Sequence, residues 1–207
     1  MPPSRPRRST APLDVGGVSP PAPRSGPALG LLELGSVARG MVVADAMVKR
    51  ATVTLSEAHP ITPGKFVVVV AGGEEEVAEA MEAGLEAAAA TLVDRLFLPK
   101  ADPQLAPAMQ QTLQPRTVEA LGIVETFSVA ATVLAADRAV KAAEVLLVQM
   151  RLARGLGGKA YFVVSGELDQ VEAAVEAARL GIHDGMLLAT EIIPRPHPDM
   201  VLSLWQQ

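Results

Sequence analysis

The chain has 207 residues, no cysteine and a formal net charge of -5, with an isoelectric point near 5.3. The lack of cysteine excludes disulfides, thiolate zinc sites, cysteine-ligated iron–sulfur clusters and thiol catalysis. An acidic balance with one Trp, one Tyr and four Phe supplies neither the clustered cations nor the stacking surface of a nucleic-acid binder.

Residues 1–27 hold eight prolines and four arginines and no continuous apolar stretch, so they read as a disordered extension and not as a secretory signal. An Arg-rich start also suits an organelle transit peptide, but the amphipathic helix this requires is missing. No apolar run nears the roughly 20 residues that cross a bilayer. The expected setting is cytoplasmic, with no membrane and no nucleic acid among the partners.

From residue 28 the elements come in a repeating order. An apolar run at 29–34 reads as a strand, Ser36 caps a helix, and Val37, Met41, Ala44 and Val48 recur on that helix as a buried stripe. A short strand at 52–55, a loop bearing Gly and Pro, and a β-branched strand at 66–70 follow. Acidic Glu74, Glu75 and Glu76 suit the first turn of a second helix, whose stripe is Val77, Ala80, Met81, Gly84, Leu85 and Ala88. A fourth strand runs to Leu98 and Pro99. Residues 104–117 read as a connector with a short helix closed by Pro115.

The same order then starts again. Residues 28–51 align without a gap on residues 120–143 at an offset of 92, and 12 of the 24 pairs are identical. Residues 64–73 match 158–167 at an offset of 94, so two residues were gained or lost in between. A strand is expected at 121–126, a helix with buried Val129, Val133, Ala136 and Val140, strands at 145–150 and 161–164, and a helix with buried Val171, Ala174, Val175 and Ala178. A domain-sized repeat exceeds the roughly 20–50 residues of solenoid units. Strand, helix, strand, strand, helix, strand is a split βαβ order, which gives a compact α/β (α+β) fold in each copy, an antiparallel sheet with helices on one side. The expected limits are 28–103 and 118–207, and units this small gain stability by oligomerising.

Three motifs carry a resemblance. They are the L-G-x-x-E start (Leu29, Gly30, Glu33; Leu121, Gly122, Glu125), the A-D-x-x-x-K-x-A helix (Ala44, Asp45, Lys49, Ala51; Ala136, Asp137, Lys141, Ala143), and I-I-P-R-P-H at 192–197. Together, in this order, they resemble bacterial microcompartment shell proteins of the tandem-domain type, in unpermuted order. The resemblance implies a homotrimer that imitates a hexamer, edge contacts with other hexameric and pentameric shell tiles, and a central pore for small metabolites. The function implied is structural, not enzymatic.

By the same resemblance, counting back from Gly72 and Gly166, the pore-lining residues are Pro60, Ile61, Thr62 and Pro63 with His59 beside them in copy one, and Arg154, Gly155, Leu156 and Gly157 in copy two. Neither set keeps the family's Lys-Ile-Gly-Ser pattern. Some tandem relatives hold an iron–sulfur cluster there through cysteines, a role closed to this chain. Arg151, Arg154, Lys159 and Lys65 would make the opening positive and favour anionic metabolites; alternatively the two lysines only snorkel at strand starts. The tile-edge residues implied are Lys49 and Lys141, received by Pro194, Arg195, Pro196 and His197, with Lys100 the copy-one equivalent.

Other candidates are weaker. Glu33 and Glu125, duplicated with their strand, read as structural carboxylates and not as an acid/base pair. His59, His183 and His197 are scattered, so no metal is proposed, and no cofactor. The Gly-rich run at 155–160 lacks the spacing and the Ser or Thr of a phosphate loop. A tandem small-molecule sensor on ferredoxin-like domains remains the alternative function.

Overall fold

A computed structural model describes residues 26–110, 118–183 and 185–204. Copy one is built from β1 (Ala28–Leu34), α1 (Val37–Arg50), β2 (Thr54–Ile61), β3 (Lys65–Gly72), α2 (Glu74–Ala88) and β4 (Leu92–Leu98). After α3 (Leu105–Met109), copy two repeats the order with β5 (Ala120–Thr126), α4 (Val129–Ala142), β6 (Leu146–Arg151), β7 (Ala160–Gly166), α5 (Leu168–Leu180), β8 (Leu187–Pro194) and a closing α6 (Pro198–Leu204). The extension expected at 1–27 lies outside the described residues except for Gly26 and Pro27, as do 111–117 of the connector.

Each copy is a four-stranded antiparallel sheet, ordered β2-β3-β1-β4 and β6-β7-β5-β8. The central β1 is buried along its whole length, which explains why Glu33 alone interrupts its apolar run. Ser36 and Ser128 cap the first helices, each accepting a bond from the backbone N–H three residues on, at 3.3 Å. Gly30 and Gly122 sit where the second helix presses on the sheet: a Cβ would come within 2.7 Å of Met81 in one copy and of Val175 in the other. The second-helix stripes are buried as expected, with Leu85 only partly so.

The first-helix stripes diverge. In α4 the expected Val129, Val133, Ala136 and Val140 are all buried. In α1 the buried face is Gly40, Val43, Ala44 and Met47, while Met41 is 58% and Val48 39% exposed. The difference comes from the junction between the copies. The sheet of copy one turns Leu29, Leu31, Val67, Val69 and Leu98 away from its own helices, and these join Val129, Val133, Ala136 and Val140 in one apolar cluster. Among the described residues nothing equivalent covers α1.

The connector is also more structured than expected. Leu105, Ala108 and Met109 of α3 belong to the same buried cluster. The Gln104 side chain donates to the Val145 carbonyl at 3.2 Å and accepts from the Leu147 N–H at 2.9 Å, tying the connector to the rim of the second sheet.

Candidate functional site

The expected pore residues of copy one lie mostly in a strand. β2 continues to Ile61, pairing His59, Pro60 and Ile61 with Val67, Phe66 and Lys65, so the turn is left with Thr62, Pro63 and Gly64. In copy two β6 ends at Arg151, opposite Tyr161, and residues 152–159 form a longer loop. Because Val67 and Tyr161 are equivalent, His59 matches Arg151, and the two extra residues of copy two fall inside this loop. Positive φ at Ala153, Gly155, Gly157 and Gly158 bends it.

The two tips meet. The Thr62 N–H donates to the Ala153 carbonyl at 3.3 Å, and a Cβ on Gly158 would come 3.3 Å from the Thr62 carbonyl oxygen. One corner of the chain therefore carries both loops that the sequence singles out. Behind them, Arg154 reaches Glu57 at 3.4 Å and His59 Nε2 lies 3.1 Å from the same carboxylate oxygen. Glu57 escaped the sequence reading, although its i, i+2 spacing from His59 on a strand puts both on one face. Lys65 pairs with buried Glu33 at 2.6 Å, and Lys159 lies 3.6 Å from Glu125, which gives the duplicated carboxylates a structural partner each.

The edge candidates divide into two sets. Lys141 pairs with Asp137 at 2.6 Å and donates to the Lys100 carbonyl, while the other oxygen of Asp137 accepts the Asp102 N–H at 2.8 Å. Ser128 Oγ donates to Asp94 at 2.9 Å near the start of the same helix. Lys141 and Lys100 thus meet at the junction between the copies. Lys49 and Asp45, the equivalents on α1 of Lys141 and Asp137, pair at 2.5 Å on an exposed surface. Pro194, Arg195, Pro196 and His197 end β8 and lead into α6, with the Arg195 N–H bonded to the Glu119 carbonyl at 2.8 Å and His197 Nδ1 accepting from the Asp199 N–H at 3.2 Å. His197 is exposed. Among the described residues no group of three or more His, Asp or Glu is arranged to hold a metal ion.

α6 was not anticipated. Its Met200 and Leu204 pack on Leu121, Val148 and Val163 of the second sheet. The apolar spacing of those two residues was the signal available. No helix among the described residues is long and apolar enough to cross a membrane.

Comparison with known proteins agrees with this architecture. A family model described as the BMC domain matches residues 28–101 and 120–196. The bacterial microcompartment shell protein PduT of Citrobacter freundii is 43% identical over 181 residues, covering 87% of this chain and 96% of that protein. The carboxysome assembly protein CcmO of Synechococcus sp. is 31% identical over 195 residues, 88% of this chain and 70% of that protein. The crystal structure of a microcompartment protein from Desulfitobacterium hafniense superposes with a TM-score of 0.80 at 40% identity, over 84% of this chain and 97% of that one. Two matched domains, full-length relatives and a shared fold make this chain a member of the bacterial microcompartment shell proteins, of the kind that carries two BMC domains in tandem.

Proposed function

We propose that three copies of the chain close head to tail into a pseudohexameric tile with a central opening, and that this homotrimer joins hexameric and pentameric shell proteins at its edges in a cytoplasmic microcompartment shell. The observation that carries the reading is the difference between α1 and α4. On α4, Val129, Ala130, Val133, Asp137 and Val140 are covered by copy one, whereas their counterparts Val37, Ala38, Met41, Asp45 and Val48 face outward or are only half-covered. A second chain offers the matching surface, because its second sheet ends in the segment 194–198 just as the first ends in 99–103. A contact repeated head to tail closes into a ring or runs on as a filament, and closed rings are the usual form of homo-oligomers. In that ring Lys49 stands to the Arg195 carbonyl of the next chain as Lys141 stands to that of Lys100.

The hairpin tips, residues 62–64 and 153–158, then line the opening, with rigid and Gly-rich loops alternating. Lys65 and Lys159 each lie beside a carboxylate and contribute little to its charge. A preference for anionic metabolites therefore rests mainly on Arg154, whose side chain stays 63% exposed although it reaches Glu57. The domain limits that go with this reading are 28–103 and 118–207, with 104–117 as a connector, of which Gln104, Leu105, Ala108 and Met109 pack at the junction. Full-length relatives that are shell proteins give the sensor alternative no support.

The test is the mass of the purified protein in solution together with electron microscopy. Trimers seen as hexagonal discs with a central hole are expected, and a monomer that enters no shell would refute the reading. Lys49→Ala combined with Lys141→Ala should abolish normal sheets or shells, and Arg154→Ala should reduce permeability to small carboxylates.

A further inference from the structure

The segments that follow the last strand of each copy are repeats of one another. Leu98 and Ile193 pair with the equivalent residues Leu29 and Leu121. The turns beyond them match bond for bond: the Gln104 N–H donates to the Asp102 side chain at 2.9 Å and the Asp199 N–H to His197 Nδ1 at 3.2 Å. The Leu105 and Met200 N–H groups then donate to the carbonyls of Asp102 and His197, at 3.1 and 3.0 Å. Asp199 therefore stands where Gln104 stands, and α6 where α3 does.

Gln104 has a definite task inside the chain. Its amide spans the outer edge of β6, donating to the Val145 carbonyl and accepting from the Leu147 N–H, while Leu105 and Met109 share an apolar cluster with Leu147 and Met150. Copy one presents the same edge as Val53, Leu55 and Ala58, because Leu55 faces Val70 as Leu147 faces Val164, and each strand bulges one residue later. Here the edge is open. Leu55 is 40% exposed and Ala58 is exposed, against 0% and 1% for Leu147 and Met150. A sheet edge in this state offers its backbone N–H and C=O groups to a second chain. The Asp199 side chain is exposed as well.

We propose that the edge at 53–58 seats the 197–204 segment of the next chain, with the Asp199 carboxylate accepting the Leu55 N–H. The proposal rests on the ring proposed above and gives it a second surface, separate from α1. It also makes the two kinds of seam unequal. A glutamine amide both donates and accepts, whereas an ionised carboxylate only accepts, so the Val53 carbonyl lacks the donor that Val145 receives from Gln104. The seam between chains is one hydrogen bond poorer than the seam within a chain, and it is the place where the ring opens first.

Full-length protein, Asp199→Gln and Asp199→Ala are compared by mass over a dilution series, and exchange of the Leu55 amide is followed by NMR above and below the dissociation midpoint. Asp199→Gln should dissociate at a concentration at least threefold lower than the parent, since it restores the donor and the length of Gln104. Asp199→Ala should dissociate at one at least threefold higher. Both should unfold like the parent when dilute, because the side chain then stands in solvent. The Leu55 amide should exchange at least tenfold more slowly in the oligomer than in the dilute chain, and this protection should be lost in oligomeric Asp199→Ala. Midpoints that move in neither variant, or a Leu55 amide that exchanges equally fast in the oligomer, overturn the proposal and leave the ring standing. A protein that stays monomeric at every concentration overturns both.

Discussion

The helices α1 and α4 share their cap, their length and their A-D-x-x-x-K motif, yet one buries nine residues and the other four. An apolar stripe in a sequence says that a face is meant to be covered, but not by what. For α4 the cover is the first sheet of the same chain; for α1 none is found among the described residues, and the proposed ring would supply it. The sharpest way to break this comparison is to put a charge on each helix in turn. Val133→Asp inserts an unpaired carboxylate into the shared cluster and should cost about 3–5 kcal/mol, read by denaturant unfolding. Met41→Asp should leave the unfolding of the isolated chain nearly unchanged and abolish the oligomer in mass measurements. If both variants fold and assemble alike, the two faces do not do the same job.

A second contrast lies inside the cores. Where copy one has Leu34, Gly40 and Phe66 in one corner, copy two has Thr126, Thr132 and Ala160. A Cβ on Gly40 would lie 2.4 Å from the Phe66 ring, so the glycine makes room for the aromatic side chain. In copy two the space is filled by a hydroxyl pair, Thr126 and Thr132 at 2.6 Å. The two corners are packed differently, by an aromatic ring over a glycine in one copy and by a hydrogen-bonded pair in the other. Gly40→Thr is therefore expected to destabilise by about 1–3 kcal/mol through overpacking. The double variant with Phe66→Ala should lose clearly less than the sum of the two single losses, which a double-mutant cycle checks.

The motif pairs at the junction sharpen the comparison on a smaller scale. Asp137 is almost fully buried and accepts from both Lys141 and the Asp102 backbone, whereas Asp45 pairs with Lys49 in solvent. Asp137→Ala leaves the partly buried Asp102 N–H without its acceptor and should cost about 1–3 kcal/mol in thermal or chemical unfolding. Asp45→Ala in the unassembled chain should stay within about 0.5 kcal/mol of the parent. Assembly should then raise the cost of Asp45→Ala towards that of Asp137→Ala, because a second chain would supply the missing backbone donor.

Much of this architecture was legible because the sequence repeats itself. The strands, both caps and the buried stripes of α2, α4 and α5 follow from spacing that occurs twice, and the strand order follows from the split βαβ pattern. The reach of β2 was not legible: His59, Pro60 and Ile61 look like loop residues, since Pro60 cannot donate to a ladder. At the sheet edge that loss is tolerated, because β2 pairs on one side only. The exposed stripe of α1 was misread for a related reason, as periodicity reports a partner without telling whose it is. Glu57 became visible as a site residue only when the fold brought Arg154, 97 positions away, beside it.

The smallest expected effect concerns the outer faces of α2 and α5. Copy two carries Glu176 and Arg179, bonded at 2.7 and 2.8 Å, where copy one has Glu82 and the half-buried Leu85. The hydrogen bond from Arg179, helped by its charge, holds the Glu176 carboxyl below its ordinary value. A carboxyl depressed in the folded state adds stability that is present above its unfolded value and is lost as the pH falls through the folded one. Arg179→Ala should return the Glu176 titration, followed by NMR, to the ordinary carboxylate range. The pH dependence of unfolding should hardly change, since both groups stand in solvent, where screening and side-chain entropy cancel most of what a single pair contributes. A large loss of stability would mean that this face is covered in the assembled protein, and that α5 has a partner which α2, lacking the arginine, does not share.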